Sequence, residues 1–97
     1  MKALITGASS GMGRDMAKYL YSFGYELYLV ARNKKALDRE FKGYKNIHTY
    51  GYNLIMEEEC IKLYKELKDE NIDILINNAG FGDALIYLNN MGMLKLN

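Results

Sequence analysis

Thr6-Gly7-Ala8-Ser9-Ser10-Gly11-Met12-Gly13 stands between a short apolar run, Ala3-Leu4-Ile5, and a helical pattern that extends from Arg14 to Phe23. Strand, glycine-rich turn and helix together form the context that gives such a loop meaning. Each glycine has its own task. Gly7 lets the chain leave the strand in a tight turn where φ is positive. Gly11 has no Cβ, so a bulky anion can approach its backbone. Gly13 lets the new helix lie close against the strand. The unpaired N–H groups of the helix's first turn, with the helix dipole, then favour a phosphate.

The spacing is Gly-x3-Gly-x-Gly. It differs from the Gly-x-Gly-x-x-Gly dinucleotide fingerprint, because Met16 occupies the place of the last glycine. It also differs from the phosphate-binding loop of NTPases, because Arg14-Asp15 replaces Lys-Ser/Thr. Taken alone, the loop has a competing reading as a glycine-rich turn without a ligand.

Downstream, strands and helices alternate. Lys2 to Thr6 reads as a buried strand and Arg14 to Phe23 as a helix with Met16, Ala17, Leu20 and Phe23 on one side, ended by Gly24. Tyr25 to Ala31 is a second strand, apolar on both faces, which suits a parallel strand covered on both sides. Asn33 can cap a helix from Lys34 to Phe41, and Gly43 ends it. Asn46 to Tyr52 is a third strand. A helix follows from Met56 to Asp69, with Glu57, Glu58 and Glu59 in its first turn and Cys60, Leu63, Tyr64 and Leu67 as its inner stripe. Ile72 to Ile76 is a fourth strand, and it runs into Asn77-Asn78-Ala79-Gly80-Phe81-Gly82. The remainder, Ala84 to Leu96, is weakly helical and interrupted by Gly92.

Such alternation means an α/β fold, a three-layer parallel sheet of Rossmann type. Right-handed crossovers give the strand order 3-2-1-4. The chain reverses direction between the first and fourth strands, and ligands bind at that switch point, beyond the carboxyl ends of the strands. Thr6–Gly13 and Asn77–Gly82 both lie there. Two glycine-containing loops converging on one crevice are far more specific than either alone.

Bulk properties narrow the classes. The 97 residues suit one small domain; 49% are hydrophobic, 26% charged, and the net charge is +1 without a basic or acidic block. That argues against nucleic acid as a partner. The apolar runs are too short to span a membrane, and the N-terminus has no leader pattern. Cys60 is the single cysteine and cannot form an internal disulfide, so a cytoplasmic location is expected. His48 lacks partners at metal-ligand spacing, and no metal site is expected.

With both loops in hand, the chain resembles the short-chain dehydrogenase/reductase family. The matching residues are Thr6 to Gly13, Leu29-Val30-Ala31-Arg32, and Ile72-Asp73-Ile74-Leu75-Ile76-Asn77-Asn78-Ala79-Gly80, in the family's order. The resemblance covers residues 1–82, read as the NAD(P)-binding part, with residues 83–97 as a truncated or rearranged tail. It implies a Rossmann-fold oxidoreductase that moves hydride between NAD(P) and an alcohol or carbonyl. It also implies that Gly7, Ser9, Ser10, Gly11, Met12 and Gly13 hold pyrophosphate and adenosine ribose, and that Asn78, Ala79 and Gly80 line the cofactor's central part.

Three departures matter. Asn53-Leu54 stands where the family has an acidic residue that contacts adenine; Asn53 can still donate and accept hydrogen bonds. The family's later Ser and Tyr-x3-Lys are missing. Tyr64-x3-Lys68 has that spacing but precedes the Asn-Asn-Ala-Gly loop and sits on an apolar stripe, so it reads as packing. Finally, Met93-Leu94-Lys95-Leu96-Asn97 resembles the segment that carries an active-site asparagine, a few residues early, which makes Asn97 its equivalent.

Ala31 and Arg32 end the second strand where NAD users commonly place Asp or Glu for the ribose 2′-hydroxyl. NADP(H) is therefore the expected cofactor, with NAD(H) as the alternative. The missing carboxylate also argues against a rival reading as an S-adenosylmethionine-dependent methyltransferase. A second rival is a non-catalytic NADP(H)-binding module without turnover of its own. The apolar fourth strand has little to guard its outer edge, so self-association or pairing with a missing C-terminal half is expected.

Overall fold

The structure, a computed structural model, describes residues 1–78; Ala79, Gly80, Asn97 and the expected tail lie outside the described residues. The elements are β1 (Lys2–Thr6), α1 (Gly11–Ser22), β2 (Glu26–Ala31), α2 (Lys34–Glu40), β3 (Ile47–Gly51), α3 (Glu57–Leu67) and β4 (Ile74–Asn77). All strand pairs are parallel, in the order β3-β2-β1-β4. The Rossmann-type sheet is therefore as expected, with β1 between β2 and β4.

Strand periodicity sorts the core into two layers. On one face Leu4, Tyr28 and Val30 meet Cys60, Leu63 and Leu67 of α3, with Leu54 and Ile72 closing the ends. On the other, Ala3, Ile5, Leu27, Leu29 and Ala31 meet Ala17 of α1 and Leu37 and Phe41 of the α2 region. Both faces of β1 and β2 are buried, which is why their sequences are apolar without a polar alternate. Asn33 caps α2 by accepting a hydrogen bond from the Ala36 N–H at 3.2 Å.

Some boundaries shift. α1 starts at Gly11, not Arg14, because the glycines of the loop themselves form its first turn. Phe23 is not on the inner stripe; it is 64% exposed and packs edge-on against Tyr19. β4 starts at Ile74, two residues later than expected. Asn71 takes a left-handed conformation (φ 56°) that turns Ile72 into the core, and only then do Asp73 and Lys2 begin the ladder, Asp73 N–H donating to the Lys2 carbonyl at 2.9 Å.

The amino ends of the strands carry a polar cluster. The buried Tyr28 hydroxyl lies 3.1 Å from Glu26 Oε2 and 3.0 Å from Glu70 Oε2. A phenol has one proton, so it donates to one carboxylate at a time. Each carboxylate has a second partner: His48 Nε2 lies 2.7 Å from Glu26 Oε2, and Lys2 Nζ 3.6 Å from Glu70 Oε2. The His48 ring also stacks on Tyr28 at 4.6 Å.

The hydrogen bond from His48, then that from Tyr28, holds the Glu26 carboxyl below its ordinary value of 4.5. A carboxyl depressed in the folded state contributes stability that is complete above its unfolded value and is lost as pH falls through its folded one. Asp38 and Glu40 are depressed in the same direction by Thr49 with Lys34 and by Lys18 respectively. The thermal midpoint should therefore fall as pH is lowered past 4.5. In His48→Ala the fall should be smaller, because Glu26 then titrates nearer its unfolded value; an unchanged acid loss, followed by circular dichroism, would refute this role of His48.

Candidate functional site

Two left-handed glycines shape the β1–α1 loop. Gly7 has φ 64° and Gly11 φ 58°, conformations that L side chains rarely adopt. Between them Ala8 is fully buried and its N–H donates to the Val30 carbonyl at 3.2 Å, which anchors the loop to the end of β2. Ser10 is the N-cap of α1 in an extended conformation, yet its hydroxyl makes no capping bond, and no acidic residue sits in the first turn. The amino end of α1 thus keeps donors and positive dipole for something else.

Gly13 works by absence. A Cβ there would lie 2.1 Å from the Gly7 carbonyl oxygen, 2.8 Å from its carbon and 2.9 Å from Asn78 Nδ2. Helix α1 and the loop after β4 touch through this hydrogen atom. At Gly11, by contrast, a Cβ would meet nothing within 4 Å, leaving room for a group to come up to the backbone.

These parts enclose a cavity of about 400 Å³ at the carboxyl ends of the strands. Gly7, Ser9, Ser10, Gly11 and Met12 form one side. Val30, Ala31 and Arg32 form the other, with Tyr52, Leu54 and Asn78 completing the wall. Among the described residues no carboxylate lines it. Arg32 is exposed and, among the described residues, has no hydrogen bond or ion pair. Lys34, the next cation, is taken by Asp38 at 2.9 Å. Below the cavity floor, the Thr6 hydroxyl donates to Asn77 Oδ1 at 2.7 Å and ties β1 to β4.

Of the residues singled out from the sequence, Gly7, Ser9, Ser10, Gly11, Met12, Arg32, Leu54 and Asn78 come together at this cavity, and Gly13 stands behind its wall. Asn53 is outside the lining. Its Oδ1 accepts from the Ile55 N–H at 3.2 Å and its own N–H donates to Glu59 Oε1 at 3.1 Å, so its side chain shapes the turn into α3. That makes Glu59 a capping partner rather than a merely solvated charge. Val30 and Ala31 were read only as the end of the second strand, and Tyr52 was not singled out. Counting by twos from Val30's partner Tyr50 leads to Tyr52 on the same face, the signal that could have found it. The Tyr52 hydroxyl donates to Glu66 Oε1 at 2.8 Å; burial, then this bond, pushes the phenol up to about 12.

Tyr64 and Lys68 do not line the cavity. Tyr64 packs against the α3-side core, and Lys68 is the exposed C-cap of α3. Two residues on, Glu70 reaches Lys2 at the amino end of β1, so this end of α3 faces away from the cavity. Cys60 is buried, its thiol pushed up by burial, and it donates to the Leu54 carbonyl at 3.4 Å. Among the described residues no group of three or more His, Cys, Asp or Glu is placed to hold a metal ion, and no helix is long and apolar enough to cross a membrane.

A family model described as short chain dehydrogenase matches residues 1–94. A 3-oxoacyl-(acyl-carrier-protein) reductase of Rickettsia prowazekii (strain Madrid E) is 38% identical over 79 residues, covering 80% of this chain and 32% of the relative. A bulky-bulky ketone specific alcohol dehydrogenase from Comamonas testosteroni, solved by crystallography, superposes with a TM-score of 0.71 at 33% identity, covering 93% of this chain and 45% of that one. L-sorbose reductase from Gluconobacter frateurii is similar in fold alone, with a TM-score of 0.84 at 22% identity over 92% of this chain and 44% of that one. The chain spans about a third of the length of the curated relatives it matches.

Substituting Gly13 with Ala should destabilise the fold at or above the top of the roughly 1–3 kcal/mol typical of overpacking, because the clash is with backbone. Gly11→Ala meets no neighbour and should cost only the left-handed strain of about 1–2 kcal/mol. Urea unfolding of the two variants checks this; equal losses would mean that the loop yields freely at Gly13.

Proposed function

Since this chain belongs to the short-chain dehydrogenase family, we propose that residues 1–82 are its NAD(P)-binding part and that the cavity receives NADP(H) in preference to NAD(H). The observation that carries the reading is the cavity itself, with the amino end of α1, the end of β2 and Asn78 around one space at the switch point between β1 and β4. The residues present suit a dinucleotide. The uncapped α1 terminus and the open space at Gly11 suit a pyrophosphate. Ser9 and Ser10 bring hydroxyls, and Arg32, without a partner and with no carboxylate beside it, suits a ribose 2′-phosphate. Asn78, with Ala79 and Gly80 after it, is then placed along the cofactor's central part.

When bound, the cofactor supplies a hydride for exchange with an alcohol or carbonyl. The part of this chain is to bind and orient it. Tyr64 and Lys68 have no share in proton transfer, being remote from the cavity, and Asn97 is the proposed equivalent of the family's active-site asparagine. The alternative is a module that binds NADP(H) without turnover of its own.

β4 supports a proposal about partners. Ile74, Leu75 and Ile76 are only half-buried, unlike the interior residues of β1 and β2, and β4 is the outer strand among those described. An apolar outer strand invites another strand, from a second copy or from the further length present in the relatives.

Calorimetry with NADPH and NADH tests the cofactor reading. A guanidinium–phosphate contact predicts NADPH binding tighter by roughly 10- to 150-fold, a margin that Arg32→Ala removes. Equal affinities, unchanged by the substitution, would refute it. Incubated with NADPH and a panel of ketones, the 97-residue polypeptide should show no turnover; turnover abolished by Tyr64→Phe would overturn the remote placement of that pair. In sedimentation the same polypeptide should exceed its monomer mass of 11.2 kDa, whereas a clean monomer with slowly exchanging β4 amides would mean that the edge is already covered.

A further inference from the structure

Tyr52 occupies a junction that no motif marks. Its N–H donates to the Ala31 carbonyl at 3.0 Å, so the end of β2 and the segment leaving β3 are tied where the cavity begins. It borders two spaces at once: the main cavity, and a shallower one of about 350 Å³ that it shares with Lys34, Gly51 and Glu66. It is therefore the partition between them. Beside it on the main-cavity side are Val30, Ala31 and Leu54, all apolar and at most 7% exposed. The cavity thus has a polar half, at the α1 terminus, and an apolar half in which Tyr52 is the single aromatic residue among the described lining.

Glu66 reaches this partition from α3. It does not line the main cavity, yet its Oε1 accepts the Tyr52 hydroxyl proton at 2.8 Å. A tyrosine ring fixed at its backbone and at its far oxygen has little freedom to swing into either space.

We propose that Tyr52 is a binding residue for the heterocyclic base of the dinucleotide, its ring forming the aromatic wall against a purine, and that Glu66 is a positioning residue that holds that ring in place. The inference rests on the cavity being the dinucleotide site. Its physical ground is the match between a flat apolar slot and a flat aromatic base, since every base has a π face and stacks on an aromatic side chain. Arg32 lines the same cavity.

Two probes and three variants test it on the full chain by calorimetry. 2′-Phospho-ADP-ribose carries base and phosphates; inorganic pyrophosphate carries phosphates alone. Tyr52→Ala should weaken 2′-phospho-ADP-ribose by roughly 5- to 150-fold and leave pyrophosphate unchanged. Glu66→Ala should give a smaller loss for the first probe only, and Glu66→Gln, which keeps an acceptor oxygen, should restore it. Tyr52→Trp adds a direct signal: the chain has no other tryptophan, so its fluorescence should change with 2′-phospho-ADP-ribose and not with pyrophosphate. If the unaltered chain binds 2′-phospho-ADP-ribose but Tyr52→Ala binds it equally well, the inference is wrong. Equal weakening of both probes in Tyr52→Ala would make Tyr52 merely structural, which also overturns it. Binding of neither probe by the unaltered chain would overturn the cavity reading itself, and this inference with it.

Discussion

One missing carbon atom governs the arrangement. With a Cβ at Gly13 only 2.1 Å from the Gly7 carbonyl oxygen, α1 could not sit where it does. Because it can, the amino end of α1 presses into the turn that leaves β1, and Ala17, one helical turn further on, settles without exposure on Ala3 and Ile5. The same contact brings Asn78 within reach from the far side of the sheet. The cavity is the space left over once those three segments have closed on each other. Its shape follows from backbone packing rather than from any large side chain, as suits a site that meets a ligand through N–H groups.

Much of this was legible from the residues because the signals were local and physical. Glycine positions announced a left-handed turn at Gly7 and a close approach at Gly13, and the structure has Gly7 at φ 64° and Gly13 in contact; the left-handed Gly11, at φ 58°, was read only as open space for an anion. Apolar runs with no polar alternate announced strands buried on both faces. The α3 stripe was readable from its spacing, although Tyr64 stays only half-buried while Cys60, Leu63 and Leu67 are fully inside.

What escaped depends on tertiary partners. Phe23 falls on the helical stripe by spacing, but the helix ends there and the ring turns out to Tyr19. Asn53 has the chemistry to meet a base, but the Ile55 N–H takes its oxygen. Tyr52 is one tyrosine among nine, and only the parallel register of β3 beside β2 shows which of them reaches the carboxyl end. The two ends of the sheet also divide their labour in a way that spacing does not reveal. At the amino ends every buried polar group is engaged, Tyr28 with Glu26 and Glu70 above all. At the carboxyl ends, the side chains of Ser10 and Arg32 have no hydrogen-bond partner among the described residues. One end is closed upon itself and the other is left receptive.

The pairing of β1 with β4 has a consequence in time. β1 is synthesised before the other described strands, and it lies between β2 and β4 in the finished sheet. Its second neighbour arrives late, since the bond that joins them at Lys2 and Asp73 spans 71 positions of sequence. At a synthesis rate of about 5–20 residues per second, that interval lasts roughly 4–14 s. During it, one flank of the buried strand β1 has no ladder to join, while β2 and β3 can already assemble on the other. Through those seconds the flank of β1 that receives β4 stays open.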